Sequence, residues 1–163
     1  MLPLDIATTE VVDLSTLKTG QFFFHESNGT FDLGVSLASD GKNFPWLSLS
    51  GASAFVLNSV RSGQRKLVLA LGFDLSAVRL RIAEGITPVK YVDHTIGQMV
   101  FDRESGPSIA VRWTNHEAGD HQTTVALRSW QATSLCDARD GALNNWTLSF
   151  LDESGSWVDL VSR

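Results

Sequence analysis

Two imidazoles and two carboxylates fall within six consecutive residues, His116-Glu117-Ala118-Gly119-Asp120-His121. Imidazole nitrogens and carboxylate oxygens are donors that bind zinc. If the loop between the flanking strands folds back on itself, His116 and His121 approach each other and Asp120 supplies a third ligand. The spacing matches no recognised metal motif, however, and the same residues also describe a solvated hairpin tip rich in turn formers. The chain contains no Gly-x-Ser-x-Gly elbow, phosphate loop, dinucleotide fingerprint or His-Glu-x-x-His helix, so no cofactor is expected. A hydrolase-type enzyme stays open as an alternative, because acidic or histidine residues converging from separate strands leave no local signature.

Tryptophan placement is the next source of chemistry, since alternation along a strand assigns each ring to a face. Trp46 alternates with Leu47 and Leu49 and shares its side with Ser48 and Ser50. Trp130 lies with Thr124 and Arg128, opposite Val125 and Leu127, and Trp157 lies opposite Val158 and Leu160, beside Asp159. All three are expected to point away from the core, whereas Trp146 (with Leu148 and Phe150) and Trp113 (with Ile109 and Val111) are expected inside it. An outward ring serves as a platform for a sugar or as a hot spot for a protein partner. Arg79 and Arg81 share one outward face of residues 78–82, and Arg112 and Arg128 are outward by the same rule. Such guanidiniums hold carboxylate or phosphate bidentately, or pair with acids across an exposed sheet.

The elements that must position these residues are strands. Runs of five to eight alternating or continuous apolar residues are followed repeatedly by Gly, Asn, Asp or Ser. Residues 22–26 and 31–38 flank Asn28-Gly29, which supplies the positive φ angles of a tight hairpin. Further strands are expected at 46–50, 54–60, 65–71, 77–82, 98–102, 108–114, 121–132, 146–151 and 157–161. The segment 67–71 reads as buried on both faces and central. Helix is confined to one turn after Asp13 or Ser15 and a short stretch near Cys136. Short turns without helical crossovers imply antiparallel pairing. The expected fold is all-β: an antiparallel two-sheet β-sandwich or jelly roll of about ten strands, with a closed β-barrel as the alternative. Residues 1–163 form a single expected domain.

Composition narrows the partners. The net charge of −5 argues against nucleic acid, which draws on an excess of Lys and Arg. Residues 61–112 are nonetheless locally positive, with eight basic side chains against five acidic. Cys136 is the sole cysteine, so no intramolecular disulfide forms. Residues 1–10 lack the basic and apolar regions of a signal peptide, and the apolar run 67–73 is too short to span a bilayer. A cytoplasmic protein without membrane contact is therefore expected. The functional expectation is a non-enzymatic binding or assembly module, possible as a homo-oligomer, that recognises a carbohydrate or protein partner through a sheet face. A structural subunit of a multi-protein particle is a further alternative beside the enzyme.

Overall fold

A computed structural model describes residues 9–72, 78–82, 95–102, 106–115, 119–133, 141–151 and 155–163. These residues form fourteen strands and one 3-10 turn, and among them no helix is long and apolar enough to cross a membrane. β1 (Thr9–Asp13) leads into the turn at Leu14–Thr16, where the Asp13 carboxylate caps by accepting from the Ser15 N–H at 3.0 Å. β2 (Phe22–Ser27) and β3 (Thr30–Ser36) form the expected hairpin, with Asn28 and Gly29 at φ 52° and 79°. β4 (Asn43–Ser48), β5 (Val56–Arg61), β6 (Leu67–Leu71) and β7 (Val78–Ile82) follow. The remainder are β8 (Met99–Asp102), β9 (Gly106–Asn115), β10 (Gly119–Ala126), β11 (Gln131–Thr133), β12 (Ala142–Leu143), β13 (Trp146–Leu151) and β14 (Trp157–Ser162).

Eleven strands make one large sheet in the order β1-β6-β2-β3-β4-β5-β9-β10-β11, with β8 pairing β9 and β12. β14-β13-β7 make a second, antiparallel sheet. The strand number exceeds the expected ten because β1 and β12 are too short or too polar to stand out by alternation, and the strand expected at 121–132 divides into β10 and β11. The large sheet is mixed rather than wholly antiparallel: β5 runs parallel to β9, pairing Val56 with Arg112 and Leu57 with Trp113. That junction arises because β9, ten residues long, shares one side between β8 at its start and β5 near its end. The large sheet ends at β1 and β11 and does not close into a barrel.

Apolar side chains collect on both faces of the large sheet. Phe22, Phe24, Leu33, Val35, Leu47, Ile109, Val111 and Val125 join Trp146, Leu148 and Leu160 of the small sheet in the main cluster. Phe23, Trp46 and Val68 point the other way and are covered by Leu14 of the 3-10 turn, with Val12 and Leu17 packed alongside. Trp46 thus faces away from Leu47 as alternation predicts, but it is buried rather than exposed, because a second cluster covers that face.

Trp130 is also buried, and in the main cluster. Residues 121–132 are not one strand. They form β10, a turn at 127–130 and β11, and Trp130 closes the turn at φ 51°. That left-handed residue breaks the alternation and swings the indole inward, edge-on to Phe22 at 5.7 Å. Trp113 keeps the core-side facing of Ile109 and Val111, yet it is 43% exposed because β9 extends beyond the core. β6 is next to the edge strand rather than central, and Leu67 at its start is exposed.

Replacing Trp130 with Ala is therefore expected to cost about 3–5 kcal/mol, the same range as Trp146→Ala. Urea denaturation of the two variants checks this, and a loss below about 1 kcal/mol for Trp130→Ala would place the ring outside the core.

Candidate functional site

The outer face of the small sheet gathers three of the residues singled out by type. β13 is central, and the register aligns Arg79 of β7 with Ser149 and Asp159, Arg81 with Thr147, and Leu151 with Trp157. The inner face is apolar: Leu80, Leu148, Leu160 and Val161 pack on the main cluster. A register shift between Leu148 and Ser149 accommodates an extra residue in β14, which lets both Leu160 and Val161 reach that cluster. Short hydroxyl side chains on β13 leave room above the central strand, and long side chains from the two flanking strands reach across it. Arg81 Nη2 donates to Asp159 Oδ2 at 3.0 Å, and Asp159 Oδ1 accepts from Ser149 Oγ at 2.8 Å. The Arg79 guanidinium lies 3.9 Å from the centre of the Trp157 ring.

Trp157 remains 38% exposed, as does Leu151 beside it. The face therefore combines an indole fixed by a guanidinium, an aliphatic neighbour and an exposed ion pair. Half-exposed pairs of this kind contribute at most about 1 kcal/mol to folding, and an exposed cation–π contact about 0.5–1 kcal/mol. Their effect is to hold the rings and charges in one arrangement rather than to stabilise the sheet.

The other sequence-derived candidates are dispersed. Trp46 and Trp130 lie in different apolar clusters, and Arg128 is exposed on the turn between β10 and β11. Of the proposed metal ligands, His116 lies outside the described residues. Asp120 and His121 are successive residues of β10 and so project to opposite faces. Asp120 approaches Arg112 Nη1 at 3.8 Å, while the His121 ring lies against Trp113 at 5.8 Å. Among the described residues no group of three His, Cys, Asp or Glu side chains is placed to hold a metal ion.

A polar cluster that the sequence did not reveal lies on the second face of the large sheet. His25 and Asp32 are register partners on β2 and β3, and Ser48 Oγ of β4 stands 3.4 Å from His25 Nε2. Asn58 Nδ2 donates to the same Ser48 oxygen at 3.2 Å. The Asp32 carboxylate rests against Gly51, where φ is 75° and a Cβ would run into its oxygens, so glycine is required on both counts. Serine, histidine and aspartate thus converge from adjacent strands, but not as a catalytic triad. Ser48 is fully buried, and His25 Nδ1 has no hydrogen-bond partner among the described residues, so Asp32 does not orient the ring. The signal in the sequence was only a histidine directly after Phe22-Phe23-Phe24, a run apolar on both faces.

Burial holds the His25 imidazolium below the usual histidine range, and the Lys66 ammonium adds to this, against opposing contributions from the Glu26 backbone and Asp32. A lowered folded-state pKa means that the unfolded chain takes up a proton before the folded one does. The stability due to neutral His25 is complete above the ordinary value of 6.5 and declines as pH falls from there towards the folded pKa. Urea midpoints are expected to drop on acidification through this window, and His25→Gln is expected to flatten the slope. An unchanged slope in His25→Gln would assign the acid sensitivity elsewhere.

Comparison with known proteins adds no identity: no family model, curated protein or solved structure matches the chain.

Proposed function

We propose that the chain is a non-enzymatic binding module that recognises a protein partner through the outer face of β7, β13 and β14. The single observation that carries this reading is the Arg79–Trp157 stack beside Leu151, with Arg81 and Asp159 next to it. Tryptophan and arginine are the residue types most enriched among interface hot spots, and a rim of paired charges supplies register and specificity. Protein is favoured over carbohydrate because the guanidinium already occupies a face of the indole that a sugar ring would stack upon. The enzyme reading has less support, since the Ser-His-Asp group that converges among the described residues is buried. The two sheets, sharing one apolar cluster, are read as the layers of a β-sandwich whose small layer is presented to the partner. A reducing, cytosolic setting accords with Cys136 being the only cysteine.

The test is a displayed random-peptide library panned against the intact chain, with a glycan array in parallel. Peptides that bind the wild type are expected to lose at least about tenfold in affinity with Trp157→Ala, roughly the 1.4 kcal/mol or more of a hot-spot residue. They are expected to be weakened by Arg81→Glu as well, while thermal stability changes little. Selected peptides indifferent to both substitutions, or glycans bound in place of peptides, would contradict the proposal.

A further inference from the structure

The two guanidiniums on the outer face of the small sheet are in different states. Arg81 donates to Asp159 at 3.0 Å, and Ser149 Oγ holds the other oxygen of that carboxylate at 2.8 Å. The charge of Arg81 is neutralised in place. Arg79, two residues earlier on the same strand and face, has no acidic partner among the described residues. Its guanidinium lies on the Trp157 ring, and its Nε is buried without a hydrogen-bond partner among the described residues. Stacking occupies one face of a guanidinium, whereas all five of its N–H groups lie in the plane. Burial of Nε closes the side-on approach through Nε and one Nη, so an acceptor meets Arg79 end-on, at Nη1 and Nη2.

Charge on this face selects the acceptor. The charged side chains of β7, β13 and β14 are Arg79, Arg81 and Asp159, which leave one positive charge. The chain as a whole carries −5, but charges more than about 8 Å apart are largely screened at physiological ionic strength. A ligand on the face therefore meets the local charge. A dianionic phosphate exceeds it and is repelled by the neighbouring Asp159, whereas one carboxylate balances it and fits two parallel N–H donors. Leu151, the register partner of Trp157, is exposed beside the stack, so the charge adjoins an apolar surface. We infer that the partner is an acidic peptide segment, with an Asp or Glu carboxylate on the Nη atoms of Arg79 and an apolar side chain against Leu151 and Trp157; this rests on the partner-binding role of the face.

Titration calorimetry with peptides selected by the intact chain tests this through a double-mutant cycle. Each peptide is compared with copies in which every Asp or Glu in turn becomes Asn or Gln, against the wild type and Arg79→Gln. At one acidic position, either change alone is expected to weaken binding by at least about tenfold, and the two together by little more than one. Arg79→Lys keeps the charge without the fork and is expected to recover part of the loss. The peptide copies leave the protein unaltered, so they carry the comparison if Arg79→Gln does not fold. Peptides that depend on Trp157 but lose nothing with their carboxylates, or losses that multiply in the cycle, would overturn the inference and leave the binding face standing. Phosphopeptides preferred to their Glu counterparts would overturn the choice of carboxylate. Failure to select any peptide would overturn both the face and its acidic partner.

Discussion

The burial of β2 on both faces is the constraint on which the rest of the structure depends. Phe22 and Phe24 enter the main cluster while Phe23, between them, enters the second. Fully burying a phenylalanine is worth about 1.5–3 kcal/mol, so neither face can be left in water. The small sheet supplies Trp146, Leu148 and Leu160 to one side. On the other, the 3-10 turn and the residues flanking it supply Leu14, Val12 and Leu17. The position of β6 beside β2, and of β1 beside β6, follows from the same requirement, since Val68 and Val12 complete that second cover.

Closing the second face has an electrostatic cost. His25, Asp32 and Ser48 lie on the same side as Phe23 and Trp46, and they lose water when that side is covered. Ser48 is satisfied by Asn58, and His25 meets the loss by remaining neutral. The Lys66 ammonium lies 5.0 Å from the centre of the Trp46 ring, where the π-face partly replaces its hydration. The resulting arrangement resembles catalytic machinery in composition, while its burial makes it part of the core.

Local chemistry made much of the strand pattern legible. The β2–β3 hairpin was readable because Asn28-Gly29 has one favourable backbone solution, and the capped turn after Asp13 because a carboxylate two residues ahead of an N–H is a local device. Trp157, Arg79 and Arg81 were placed on their face by alternation alone, since the strands of the small sheet are regular where they lie. Alternation failed for Trp130 because a left-handed residue interrupts the strand, and a tryptophan at that position carries no signal for it. For Trp46 it gave the right face but not its environment, because what covers a sheet is set by distant segments. The convergence of His25, Asp32 and Ser48 was illegible for the same reason: it is a property of strand order, not of spacing along the chain.

The covering of both faces divides the five tryptophans, with Trp46, Trp130 and Trp146 enclosed and Trp113 and Trp157 open to solvent. Iodide quenching of single-tryptophan variants, each retaining one indole with the other four replaced by Phe, measures that division directly. Trp46 is the decisive case, because only a sheet covered on both faces shields it. Blue-shifted, weakly quenched emission is expected from Trp46, matching Trp146, and strongly quenched emission from Trp157. In a variant that retains a cooperative unfolding transition, Trp46 emission quenched as strongly as that of Trp157 would contradict that division.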